Sequence, residues 1–536
     1  MKILAKLLTL VLLTFVFFNS LNAGITGKIA GYVKDAETGD GLPGANVFIE
    51  GTSLGAAADL EGHFIILNIP PGIYTLKCSM MGYQSQKVEN IRVSIDLTTT
   101  INFDLGTEVV DIGGEVTVVA EREIIQPDMT SSLSAVGAEE IRNLPVQEIS
   151  DVLEMQAGLV ADPVGGLHVR GGRSGEVAFW IDGIAATDVY SGNMGVEVEN
   201  ASIQELQVVS GTFNAEYGQA MSGIINIVTK EGGPEYHGEA RFFMGDYVSA
   251  NTDIFDHIGF INPVSIYNMQ GTLSGPVPFI SNKLNFFSMV RYFENEGWFY
   301  GKNRYKPTGY LDSDDWVSLN PFRKISTQGK LAYSITPMMK LSYGLFWNDN
   351  KFRNFDHSFK YNPDGDYQRF ESGYTHIASF NHVLSPKTFY ELKFTKFYTD
   401  YQQYVYEDPL QVVQYLPDPA DTSGNTFIID PNGPEGYVHP DSLRDPVSYS
   451  FKHAGTKMDH FFRSTAYEIV KFDLVSQVNK ANQFKTGIEF RRHDLELEWF
   501  TRKSSRLNRT YLTPPRLTMI IIIIILWRLP GISRTK

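Results

Sequence analysis

A single cysteine, Cys78, among 536 residues excludes an internal disulfide framework and any cysteine-clustered metal site. Basic charge is also scarce. Lys and Arg number 46 against 61 Asp and Glu, a net charge of -15, which argues against a nucleic-acid partner because such proteins carry basic stripes. Long apolar runs are confined to Leu7–Phe18 and to Ile520–Trp527. Both fall short of the roughly 20 residues that a membrane-spanning helix needs. No catalytic constellation is found: the chain offers no nucleophile with a base and no metal-ligand cluster, so it is read as a non-enzyme with no cofactor and no metal. His63 is a lone strand histidine, whereas a zinc site needs several ligands. NPDGDY (Asn362–Tyr367) lacks the ligand spacing of a calcium loop and reads as an Asp-Gly turn at Asp364-Gly365.

Aromatics are abundant, with 27 Tyr and 35 Phe, more than a core needs and suited to the girdles of a membrane barrel. The first 23 residues read as a secretory signal: Lys2 and Lys6, the apolar run, then a polar exit with cleavage expected after Ala23. Residues 24–105 alternate short apolar runs with turns, as IAGYVKD, ANVFIEG, HFIILNI and IYTLKCS do, and predict a small β-sandwich. Val47 and Ile49 share one face, as do Phe64 and Ile66; Pro70-Pro71-Gly72 makes a turn, and Cys78 is expected in the core. Residues 131–233 carry two helical stretches, Ala138–Leu144 and Val146–Met155, followed by glycine-punctuated β segments.

Those β segments are the most specific words in the chain. GGLHVRGGR, WIDGI and EYGQAMSGIINIVTK contain Arg170, Gly171, Gly172, Arg173, Asp182, Gly183, Tyr217, Gly218 and Gly223. With the long alternating region behind them, they resemble the plug and barrel of a TonB-dependent outer-membrane receptor. In the same family pattern IQELQVVSG is expected as an edge strand, and Ser210-Gly211-Thr212 stands where many relatives place Arg-Gly-Pro. TGDGLPGANVFIEGT, DLEGHFIILNIPPGIYTL and MGYQ resemble the carboxypeptidase-regulatory-like domain that precedes many such receptors, a domain without peptidase activity.

The resemblance implies an outer-membrane location in a Gram-negative-type bacterium and a partnership with TonB and its ExbB–ExbD motor. It also implies an unidentified nutrient ligand and, in some relatives, a surface lipoprotein partner. Between the first two domains, residues 106–130 read as a linker. There EVTVVA (Glu115, Val116, Thr117, Val118, Val119, Ala120) resembles the family's energy-coupling segment, the role expected of it; the alternative is that it finishes the sandwich as its last strand. Arg170 and Arg173 either contact acidic wall residues or sit in a solvated turn. Tyr190, Asn193 and Met194 form a candidate apex loop for substrate, and Tyr401, Tyr404 and Tyr406 are candidates to rim the pocket.

Residues 234–511 predict hairpins with apolar residues toward lipid and polar residues toward a lumen, in roughly nine strands where a plugged transporter barrel has about 22. Tyr390, Leu392 and Phe394 oppose Glu391, Lys393 and Thr395, and the turns at Ser281–Lys283, Thr336–Met338, Ser385–Lys387 and Asn479–Asn482 are short. The fold class expected is all-β dominated: a β-sandwich, an α+β plug and an incomplete antiparallel transmembrane barrel. The tail, residues 512–536, loses alternation and is expected to lie outside the wall, the product of a frame shift near Leu512. The function implied is energised uptake of a scarce nutrient, a glycan, siderophore chelate or peptide. The alternatives are a surface-anchored adhesive β-protein, which needs no plug, or a non-functional receptor fragment; a periplasmic peptidase fails for want of a catalytic constellation.

Overall fold

The structure is a computed structural model that describes residues 25–52, 54–107, 116–119, 132–162, 166–211, 220–278, 280, 283–420, 427–438, 451–479, 482–503, 506–512 and 520–527. The signal stretch lies outside the described residues.

The N-terminal domain is two packed sheets. One joins β1 (Gly27–Asp35) to β4 (His63–Ile69), β7 (Thr98–Thr100) and β8 (Phe103–Leu105). The other runs β3 (Gly55–Ala57), β2 (Asn46–Ile49), β5 (Gly72–Ser79), β6 (Gln86–Val93) and β9 (Val116–Val119). Alternation makes the core: Ile29 and Val33 from β1 meet Val47, Ile49, Leu76 and Cys78 from the facing sheet, all fully buried. Burial pushes the Cys78 thiol up to about 12, so the only cysteine is an inert core residue. Gly31 has no alternative, because a Cβ there would stand 1.7 Å from the carbonyl oxygen of Ile101.

One boundary is corrected. The sequence ends the sandwich at Leu105 and places the coupling stretch in a linker, but β9 pairs in parallel with β6, Gln86–Glu89 against Val116–Val119. Valine and threonine fit a pleated edge, and β6 offers an unpaired side that β9 fills. Glu115 and Ala120 lie outside the described residues.

The central domain has a five-stranded sheet in the order β10 (Ser132–Gly137), β15 (Ile203–Ser210), β16 (Gly223–Thr229), β13 (Val177–Ile181) and β14 (Ile184–Ala185). Beside it lie α1 (Ala138–Asn143), α2 (Ile149–Glu154) and the small pair β11 (Leu159–Ala161) with β12 (Leu167–Val169). Every residue of β13 and β16 is buried, which explains why VAFWI and GIINIVT are continuous rather than alternating. β15, expected at an edge, is interior: β10 and β16 flank it, and burial on both faces matches its apolar run.

The third region is a long antiparallel wall. Nine strands follow in order: β17 (His237–Gly245), β18 (Ile266–Pro276), β19 (Leu284–Asn295), β22 (Phe322–Thr336), β23 (Met339–Phe352), β24 (Gln368–Ser385), β25 (Thr388–Tyr404), β28 (Asp459–Gln477) and β29 (Gln483–Lys503). The sequence expects roughly nine strands; two further segments extend the sheet to eleven among the described residues. Short ladders β20 (Tyr300–Lys302) with β21 (Trp316–Ser318), and β26 (Tyr415–Pro417) with β27 (Phe427–Ile429), lie in the long connections. Among the described residues β17 pairs only with β18, so the wall is not closed. β30 (Arg506–Leu512) and β31 (Ile520–Trp527) both pair with β29. The isoleucine run, expected outside the wall, therefore lies on its edge, as β-branched residues favour extended backbone.

Pleating sorts the wall as predicted. On β25, Leu392 and Phe394 are exposed while Glu391, Lys393 and Thr395 are buried against the central domain. That domain's core is continuous with the inner wall, since Phe346, Ile377, Phe397, Tyr467 and Ile469 join Val152, Val177, Ile181 and Leu206 in one cluster.

Candidate functional site: the charged seam between plug domain and wall

The wall turns cationic side chains inward at successive heights, and the central domain answers Arg291, Lys324, Lys330, Lys340 and Arg463 with carboxylates. The sequence of strands sets those heights, since residues six apart on β22, Lys324 and Lys330, share a face and lie about 20 Å apart along it.

The densest level has two wall cations. Arg291 on β19 reaches Glu199 (2.5 Å) and Glu148 (2.8 Å), while its Nε donates to Asn268 Oδ1 (2.8 Å). Lys324 on β22 contacts Glu148 (2.7 Å), Glu197 (2.7 Å) and Glu199 (3.1 Å). Ser326 Oγ donates to Glu199 Oε1 (2.7 Å), and Gln328 Nε2 to the Glu197 carbonyl (3.1 Å). Three carboxylates thus share two cations. Burial pushes the Glu197 carboxyl up. Burial pushes at Glu199 too, but Lys324 and Arg291 overcome it and hold that carboxyl below its usual range.

Toward the short-turn end, Lys330 contacts Asp182 (3.1 Å) and Glu231 (3.5 Å), and Lys340 also pairs with Glu231. Burial would raise Glu231, yet Lys340 and Lys330 hold it at about 2. Asp182 and Gly183 both have positive φ, 48° and 76°, the geometry of a tight hairpin turn between β13 and β14. The Asp182 carboxylate also accepts from Thr229 N (2.9 Å) and Thr229 Oγ1 (2.7 Å). Lys471 of β28 donates to the Gly183 carbonyl (3.1 Å) and lies over the Trp180 ring at 4.8 Å. WIDGI is therefore the word that ties the central sheet to two different wall strands.

Toward the long-loop end the apex segment meets β28. Arg463 lies over Tyr190 (4.8 Å) and Tyr401 (5.4 Å), and approaches Asp188 at 3.8 Å. Tyr190, half exposed, is the outermost member of this stack. Asn193 closes the loop through its carbonyl, which accepts from Asp188 N (2.8 Å). Met194 packs sideways against the central core rather than facing outward. Tyr401 joins the stack; Tyr404 stacks on Phe370, and Tyr406 packs against Tyr437.

The remaining motif residues hold backbone shape. Arg170 has a positive φ of 49°, is exposed, and donates its N–H to the Gly158 carbonyl (2.7 Å). Arg173 donates its N–H to Glu176, and among the described residues neither arginine pairs with the wall. Gly171 takes φ 78°, while a Cβ at Gly172 would stand 2.3 Å from Ser222 and one at Gly223 2.8 Å from Val169. Tyr217 and Gly218 lie outside the described residues. Asp364 faces Arg353 (3.9 Å) and Asp366 faces Lys457 (2.5 Å), as turn carboxylates do, and no metal-holding cluster occurs among the described residues.

The carboxylates that carry the seam, Glu148, Glu197, Glu199 and Glu231, were not singled out from sequence. Their partners are remote, 176 residues apart for Glu148 and Lys324 and 92 for Glu199 and Arg291. The signal available was on the wall side: Lys324 and Lys330 occupy lumen-facing positions of an alternating strand, where a charge requires a partner.

Two family models match the chain: a CarboxypepD_reg-like domain over residues 29–118 and a TonB-dependent Receptor Plug Domain over residues 126–224. The first match includes most of β9. The chain is 24% identical over 285 residues to the TonB-dependent transporter Oar of Myxococcus xanthus, covering 49% of this chain and 26% of that one. It is 27% identical to the TonB-dependent receptor SusC of Bacteroides thetaiotaomicron, covering 67% and 41%. The chain thus spans less than half the length of these relatives. The pyoverdine outer membrane receptor FpvA of Pseudomonas aeruginosa PAO1 superposes with a TM-score of 0.48 at 13% identity, covering 76% of this chain and 52% of that one. With a carboxypeptidase-regulatory-like domain, a receptor plug and a lumen-facing antiparallel wall in that order, the chain has the domain organisation of a TonB-dependent outer-membrane receptor.

Proposed function

We propose that the protein serves energised uptake of a scarce nutrient, with Val116–Val119 as the segment that TonB engages. The observation that carries this reading is the charged seam. The plug shares an apolar core with the inner wall, and in addition it is held by wall cations, Arg291, Lys324 and Lys330, that meet its carboxylates. Such pairs offer alternative partners to a sliding plug: Lys324 already contacts three glutamates and Lys330 two acids.

In this mechanism solute settles on the Tyr190–Arg463–Tyr401 stack and couples to the apex through Asp188. TonB pairs with the outer edge of β9, which has no strand partner among the described residues. Force from the inner-membrane proton gradient, delivered through ExbB–ExbD, then draws the chain beyond β9 and shifts the plug in the lumen. A glycan, a siderophore chelate and a peptide all present faces that stack on tyrosine.

The test is binding of the periplasmic C-terminal domain of TonB to the purified chain. Micromolar binding is expected, reduced at least tenfold by Thr117→Pro, which interrupts the strand. Equal binding by both proteins would refute the assignment of β9.

A further inference from the structure

The sandwich does not hang free beneath the plug. Its loop Ser94–Leu97, at the end of β6, inserts between plug and wall. The plug's β15 reads both backbone groups of Ile95: Ile95 N–H donates to Glu205 Oε1 (3.1 Å), and Gln207 Nε2 donates to the Ile95 carbonyl (3.0 Å). Gln207 Nε2 also donates to Glu205 Oε1 (2.8 Å), so the two side chains act as one reader, and both are almost fully buried. The neighbouring Asp96, held at φ 56°, pairs with Lys485 of β29 (3.0 Å). Asn68, also at positive φ, exchanges two amide hydrogen bonds with Asn381 of β24, 2.9 and 3.1 Å.

These wall anchors share one end. Asn381 precedes the short turn at Ser385–Lys387, and Lys485 follows the short turn at Asn479–Asn482. A third contact comes from Ile25, two residues before β1, which lies against the Asp182-Gly183 turn, where a Cβ on Gly183 would stand 2.7 Å from Ile25 Cγ2. A small cleft of about 40 Å³ lies between Leu67, Asn68, Asp96, Phe389, Val475 and Lys485.

We propose that the sandwich is a docked cap across the short-turn mouth of the wall, a second closure in series with the plug, and that a pull on β9 releases it first. The plug, two wall strands and the lumen-facing Asp-Gly turn are all gripped by one small domain, and the same domain holds β9 as the edge strand next to β6. β6 leads directly into the latch loop. Force that strips β9 is therefore applied to the sheet whose other end is the latch. Four parallel residue pairs hold β9, fewer than any ladder of the wall, so the edge yields before the wall does. The release step rests on the import reading, while the docking does not.

The experiment uses Asn68→Cys with Asn381→Cys in the full chain, in cells. Cys78 is buried and gives a clean background. Disulfide yield is read by mass spectrometry after brief oxidation. A high yield is expected in cells treated with an uncoupler of the inner-membrane proton gradient, and at least twofold less in energised cells. Lys485→Glu should lower the uncoupled yield severalfold, and Asp96→Lys added to it should restore it. No disulfide, or a yield insensitive to the charge reversal, would overturn the docked cap. A yield equal in energised and uncoupled cells would overturn its release. Thr117→Pro separates the two readings: if it raises the energised yield to the uncoupled level, the pull runs through β9. If energisation still lowers the yield with Thr117→Pro, the β9 coupling fails while the releasable cap stands.

Discussion

At the scale of single residues, the question is which charges pay for burial. Arg291 and Lys324 are almost entirely enclosed, and a cation in that position is tolerated only because carboxylates and a side-chain amide complete its shell. Replacing Arg291 by Met strands Glu148 and Glu199 without one of their two cations. Plug seating should weaken by about 3–5 kcal/mol. Arg291→Met combined with Glu199→Gln should weaken it by less than the sum of the single changes, because the uncompensated carboxylate is gone. Denaturant-induced release of the plug, followed by hydrogen exchange of β15 and β16, measures both. Glu231 makes a pH prediction with a definite sign. Its carboxyl is depressed to about 2 from an ordinary value of 4.5, so its share of seating is present above pH 4.5 and lost as pH falls toward 2. Glu231→Gln should weaken seating at pH 7 and flatten the profile between pH 4.5 and 2 in the same assay.

At the scale of elements, legibility followed the range of the interaction. Strands whose apolar residues alternate against solvent or lipid, such as β1 and β25, were readable because their two faces differ. The turn at Asp182-Gly183 was readable because few residue pairs accept positive φ at both positions. β15 was misplaced at an edge because a family pattern gives strand order along the chain, not neighbours in the sheet. β9 was left between two roles because four extended residues carry no signal of what they pair with; the free side of β6 decides it, a fact of tertiary structure. The Ile520–Trp527 run lacks the alternation used to recognise wall strands, yet its β-branched side chains still make a ladder with β29. Glu148, Glu197 and Glu199 were invisible for a different reason. Each is an ordinary surface-type residue until a wall strand far along the chain is folded over it.

At the scale of the whole molecule, three regions form one mechanical series. In the proposed mechanism the sandwich carries the coupling edge and grips the short-turn end; the plug lies against the inner wall and is pinned by charge; the wall supplies the cations and stays fixed by long ladders such as β28 with β29. A weak, short, parallel pairing at the point of attack and long antiparallel pairings elsewhere give an order of yielding: β9, then the cap, then the plug, with the wall last. The chemistry of the solute does not enter that order. The most direct measurement is force spectroscopy on the membrane-embedded chain, pulled from a handle at Thr117→Cys. Successive extensions that unseat first the sandwich and then the plug, while wall strands remain inserted, are expected. Extraction of wall strands before the plug extends would contradict that order.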